Sequence, residues 1–172
     1  LARVWVGVFG HVSPRKNLDL VVEALRRCGA NDYGLLVAGK VDESELSRCG
    51  ASIEKFREAG GEIIFDSRLL SDGDLDSAIG CVSVVAIAHS SEGPSGILGK
   101  AAAAGVNVAA AGALSLREDI DRLQAGFWSP LTVEDFAQAL KSAAAHQKLE
   151  KRDLANGRDF ATALTSIDTS EM

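Results

Sequence analysis

The sequence has little that would let it bind by stacking or by bulk charge. Only 5% of its 172 residues are aromatic, which argues against a surface of stacking platforms for single-stranded nucleic acid. Positive charge is not in excess either: 18 Lys and Arg against 24 Asp and Glu leave a net charge of −6. General attraction to nucleic acid or to an anionic membrane is therefore missing, although a local basic pocket remains open. No apolar run reaches the length of a membrane span, so no transmembrane segment is expected. The opening LARVWVGVFG lacks the basic region, long apolar region and cleavage site of a signal peptide. It reads as a strand that begins almost at once, as in a domain cut from a longer chain.

Cysteine is also scarce. Cys28, Cys49 and Cys81 are odd in number and show no CxxC spacing, so they read as small, buried, reduced thiols in a cytosolic protein. His11, His89 and His146 are too scattered to argue for zinc, and no metal site is expected. Internal repeats and low-complexity segments are absent.

What is present is a regular alternation. With 47% hydrophobic residues the chain can bury the core of a single domain. RVWVGVFG (3–10), YGLLVAG (33–39), GEIIFDS (61–67), CVSVVAIAH (81–89) and VNVAAAG (106–112) read as strands, with a brief extended segment at AGFWSP (125–130). Between them lie helical patterns at 18–29, 42–61, 71–81, 96–105 and 115–124. TVEDFAQALKSAAAHQ (132–147) follows, and a tail helix is expected over about 148–166. Strands apolar on both faces, alternating with helices, predict a parallel sheet covered on both sides. The fold class is α/β, a Rossmann-like doubly wound domain, with ligands expected outside the carboxyl ends of the strands.

Two loops there could carry chemistry. FGHVSPRKN places Gly10, His11, Arg15 and Lys16 between a strand and a helix N-terminus, which suits a phosphate. It has neither G-x-G-x-x-G nor G-x-x-x-x-G-K-[ST], which disfavours NAD, FAD and a P-loop. The second loop, HSSEGPSG, sets Glu92 before Gly93, Pro94, Ser95 and Gly96. Pro94 suits the first helical position, and Ser91 or Glu92 could cap that helix. An ionised Glu92 could grip paired sugar hydroxyls, or could simply offset the helix dipole. Lys100, among alanines with Gly96, Gly99 and Gly105, implies tight helix packing and either snorkels outward or points to the anion site. His89, Ser90 and Ser91 do not form a nucleophile elbow, so serine hydrolysis is disfavoured.

In order, GVFGHVSPRKNLDLVVEAL, LLVAGK, IIFDSRLLSDGDL and VSVVAIAHSSEGPSGILGKAAAAGVNVAAAG resemble the C-terminal, donor-binding domain of a GT-B glycosyltransferase of the group 1 (family 4) type. The family pattern E-G-F-G, L-L-E-A-M-A-x-G, P-V is matched at Glu92, Gly93, Leu98, Ala101, Ala103, Gly105 and Val108. The resemblance implies a retaining enzyme that moves a sugar from a nucleotide-diphosphate donor to a glycan, lipid or other acceptor. Neither a cofactor nor a metal is implied. The partner would be an N-terminal domain absent from this chain, and the setting cytoplasmic or at the membrane surface. A domain alone would bind donor without turnover. Lys16 then corresponds to the diphosphate lysine and Glu92 to the sugar-facing glutamate, these two being the candidate catalytic residues. Gly10, His11, Gly93, Pro94, Ser95, Gly96 and Lys100 would line the donor, and Glu118 would start a helix. Four departures stand out. His11 replaces an arginine and Lys100 a glutamate; Leu114-Ser115 replace a glycine pair, and Asn107 a proline. Either Lys100 compensates for His11, or the domain is a degenerate binding and assembly module without catalysis. An epimerase on the same architecture fits less well.

Overall fold

The computed structural model describes residues 3–151. Six strands form one sheet: β1 (Val4–Phe9), β2 (Tyr33–Ala38), β3 (Glu62–Asp66), β4 (Val84–His89), β5 (Asn107–Gly112) and β6 (Gly126–Ser129). Six helices alternate with them: α1 (Leu18–Gly29), α2 (Glu43–Glu58), α3 (Asp72–Gly80), α4 (Gly96–Ala103), α5 (Leu114–Leu123) and α6 (Val133–Ala145). Every strand pair is parallel, in the order β3-β2-β1-β4-β5-β6. The α/β, Rossmann-like class expected from the alternation is what the chain adopts.

The doubly apolar strands feed two cores. Val6, Val8, Val84, Ala86 and Ala109 face α1, α2 and α6, where Leu25, Phe56 and Phe136 are buried. Val85, Ile87, Val108 and Ala110 point the other way, towards Ile79 of α3, Leu98 of α4 and Leu116 of α5. Each large side chain buried in this way contributes about 1.5–3 kcal/mol, and this burial fixes which face each helix takes.

The strand order reverses between β1 and β4. Their outgoing loops lead to helices on opposite faces and leave a crevice between them. Gly39, just past β2, packs against the first of these loops. At φ 132° it has a conformation that favours glycine, and a Cβ there would collide with the Gly10 carbonyl.

Several expectations need correction. Residues 148–151 carry no helix, and the rest of the predicted tail helix lies outside the described residues. Gly96 and Gly99 do not pack tightly, since a Cβ at either would meet nothing within 4 Å. Gly105 does, against the backbone of residues 149–151. All three cysteines are free, but only Cys49 is fully buried; Cys28 is half-buried and Cys81 exposed. Burial pushes the Cys49 thiol up to about 12 and that of Cys28 to about 11, which keeps both protonated. Among the described residues, no helix is long and apolar enough to cross a membrane.

Candidate functional site

The crevice between β1 and β4 is built from two loops tied to each other. β1 ends at Phe9, and Gly10 turns the chain at φ 82° while its N–H donates to the Ala38 carbonyl. A short 3-10 turn, Pro14–Lys16, leads to Asn17, which is left-handed at φ 47°. The Asn17 carboxamide donates to the Arg15 carbonyl at 3.0 Å and to the Ala88 carbonyl of β4 at 2.9 Å. The Ser90 N–H donates to the same Arg15 carbonyl at 3.0 Å. Nothing in the local sequence around Asn17 signals this role, because Ala88 lies 71 positions away.

Lys16 folds back over the end of β1, where its ammonium donates to the Phe9 carbonyl. Burial, then the neighbouring Arg15, push its pKa down to about 8. One of its three N–H groups is engaged there, which leaves donors for an anion. His11 lies apart: it is exposed, with Nε2 against Asp42 Oδ1 at 2.7 Å.

The second loop differs in detail from its sequence reading. The residue capping α4 is Ser95, whose hydroxyl accepts from the Leu98 N–H, so Pro94 precedes the helix and neither Ser91 nor Glu92 caps it. Glu92 instead serves α5. Its two oxygens accept from the Leu114 and Ser115 N–H groups, at 2.8 and 2.9 Å. The bonds from Ser115 and then Leu114 hold the carboxyl below the usual glutamate range, so it is a fixed anion near neutral pH. The Ser115 hydroxyl reinforces the clamp, donating to the Gly93 carbonyl at 3.2 Å and lying 3.3 Å from the Gly93 N–H. Glu118 does not start α5 but sits inside it, on the exposed side.

Lys100 is turned towards α3. Its ammonium bonds Asp76 at 2.7 Å, with Asp72 at 3.4 Å, and the Asp76 bond above all raises its pKa. Its charge is met there, and the structure does not bring it to Lys16.

Beneath the two loops is a small pocket lined by Phe9, Lys16, Ala88, His89, Ser95 and Ile97, among others. His89, on the last residue of β4, is only 4% exposed. Its Nδ1 is buried without a hydrogen-bond partner, and burial, then Arg15 and Lys16, push its pKa down to about 4. In the sequence, His89 stands out neither as a zinc ligand nor as part of a serine site. Among the described residues, one cluster has metal-like composition, Asp19, Glu45 and Cys49. Arg48 already fills it, at 2.7 Å from Asp19 and 2.6 Å from Glu45.

Residues 3–146 match the family model described as glycosyl transferases group 1. Solved structures agree in fold. The C-terminal domain of a group 1 glycosyl transferase from Francisella tularensis superposes with a TM-score of 0.67 at 20% identity, covering 97% of this chain and 88% of that one. HepE of Anabaena, solved with UDP and glucose, gives 0.67 at 19% identity, and this chain spans 49% of it. A UDP-forming α,α-trehalose-phosphate synthase from Burkholderia xenovorans gives 0.69 at 12% identity, with 37% of that chain spanned. The search of curated proteins gave no match.

Proposed function

The chain belongs to the group 1 glycosyl transferases, and from that premise we propose that it is the donor-binding half of a retaining enzyme that uses a nucleotide-diphosphate sugar. One observation carries this reading: the half-buried Lys16 ammonium and the Ser95-capped N-terminus of α4 flank the same small pocket at the β1/β4 reversal. A cation with spare donors beside free helix N–H groups suits a diphosphate. As the glycosidic bond to the donor breaks, negative charge builds on that diphosphate, and fixed donors stabilise it without reorganising.

Glu92 supports the sugar end. The α5 N–H groups keep it ionised and in place, and each oxygen retains acceptor capacity for a sugar hydroxyl. The open space at Gly93 and Gly96 lets a ligand approach the backbone of this turn. The acceptor would meet the donor from a second domain, and turnover would require both.

The test is thermal unfolding against UDP, GDP, ADP, TDP and CDP, with Lys16→Ala and Glu92→Ala as controls. A nucleotide at about 100 times its dissociation constant adds roughly 2.7 kcal/mol, which is several degrees for a domain of this size. We expect a base-selective shift that Lys16→Ala removes. With nucleotide sugars, Glu92→Ala should lose the extra shift due to the sugar and keep that of the bare diphosphate. No shift with any nucleotide at millimolar concentration would overturn the donor-site reading.

A further inference from the structure

Buried polar atoms in folded proteins are nearly always paired, and one that is not calls for an explanation. Among the described residues, Arg3, Asp19, His89 and Asn107 each have one such atom. Arg3 and Asp19 still form ion pairs, and Asn107 donates through its amide. The His89 Nδ1 has no partner at all among the described residues, although the residue is 96% covered by protein. Its ring lines the same pocket as Lys16 and Ser95, and that pocket has room for about one water-sized group.

The surroundings restrict what that group can be. Burial first, and then the two cations Arg15 and Lys16, keep the imidazole neutral. A neutral imidazole has one N–H and one lone pair. An anion held by Lys16 offers oxygen acceptors, and these select the tautomer with the proton on Nδ1. We propose that His89 is a second ligand-contacting residue of this site, its Nδ1–H donating to one oxygen of the diphosphate held by Lys16. This rests on the reading of Lys16 as an anion-holding residue. It adds a directional contact that carries no charge, inside that small pocket.

Inorganic pyrophosphate tests this without any assumption about base or sugar. The side-chain nitrogens of His89 are followed by ¹⁵N NMR while pyrophosphate is titrated into the wild-type chain and into His89→Ala, His89→Asn and Lys16→Ala. In the wild type, pyrophosphate should shift the Nδ1 resonance of a ring protonated on that nitrogen. Affinity should fall about tenfold in His89→Ala, the scale of one hydrogen bond to a charged acceptor. It should stay near wild type in His89→Asn, whose amide N–H takes the place of Nδ1–H. If Lys16→Ala abolishes binding while His89→Ala does not weaken it, the role of His89 is overturned and the anion site stands. If Lys16→Ala binds as tightly as wild type, both fall. Should His89→Ala not fold, a wild-type Nδ1 resonance that ignores pyrophosphate, or a proton found on Nε2 in the complex, overturns the proposal by itself.

Discussion

Lys16 keeps its charge in a half-buried position beside a second cation, Arg15, and this has opposite consequences for the free and the bound chain. Its pKa is about 8 when folded, against an ordinary 10.5. Between those values the unfolded chain binds the extra proton, so this residue makes the free domain more stable as pH rises from about 8 to about 10.5. Anion binding needs the ammonium and should weaken as pH rises through about 8. Pyrophosphate titrations and urea midpoints across pH 7 to 10 should therefore run in opposite directions, and Lys16→Ala should flatten both. A shared direction in the wild type would remove Lys16 as the group responsible.

The elements were the part most readable in sequence, because a strand apolar on both faces can only lie between two covered layers. The predicted strands and helices within 3–147 are present, and their order set the crevice at the ends of β1 and β4. Pairings between elements were not readable. Glu92 caps a helix that begins 22 residues later, and Lys100 finds Asp76 at 24 residues' distance. Local pattern carries no trace of either partner, so it offers Glu92 only the nearer helix or a sugar, and Lys100 only solvent or the anion site. Asn107 shows the same effect. It looks like a mere replacement for proline, yet its buried amide donates to the Ala143, His146 and Gln147 carbonyls at 3.1, 3.2 and 3.4 Å. It joins β5 to the end of α6. Asn107→Ala should cost about 1–3 kcal/mol in urea unfolding, since the buried Ala143 carbonyl loses its donor. A change within about 0.5 kcal/mol, the range of ordinary surface substitutions, would show the link to be idle.

At the scale of the whole molecule, the site lies where the two halves of the sheet part company, and its two loops hold each other there. Arg15 accepts from both Asn17 and Ser90, while Asn17 also reaches β4. Loops at a sheet edge usually open more readily than the core. Here the Ser90 and Gly10 amides should exchange with deuterium on the timescale of the strand interiors. Fast exchange at Ser90 in the free chain would refute this. The mouth of the site thus has its shape before anything enters. The conformational entropy lost on association then falls on the ligand, and hardly at all on the protein that receives it.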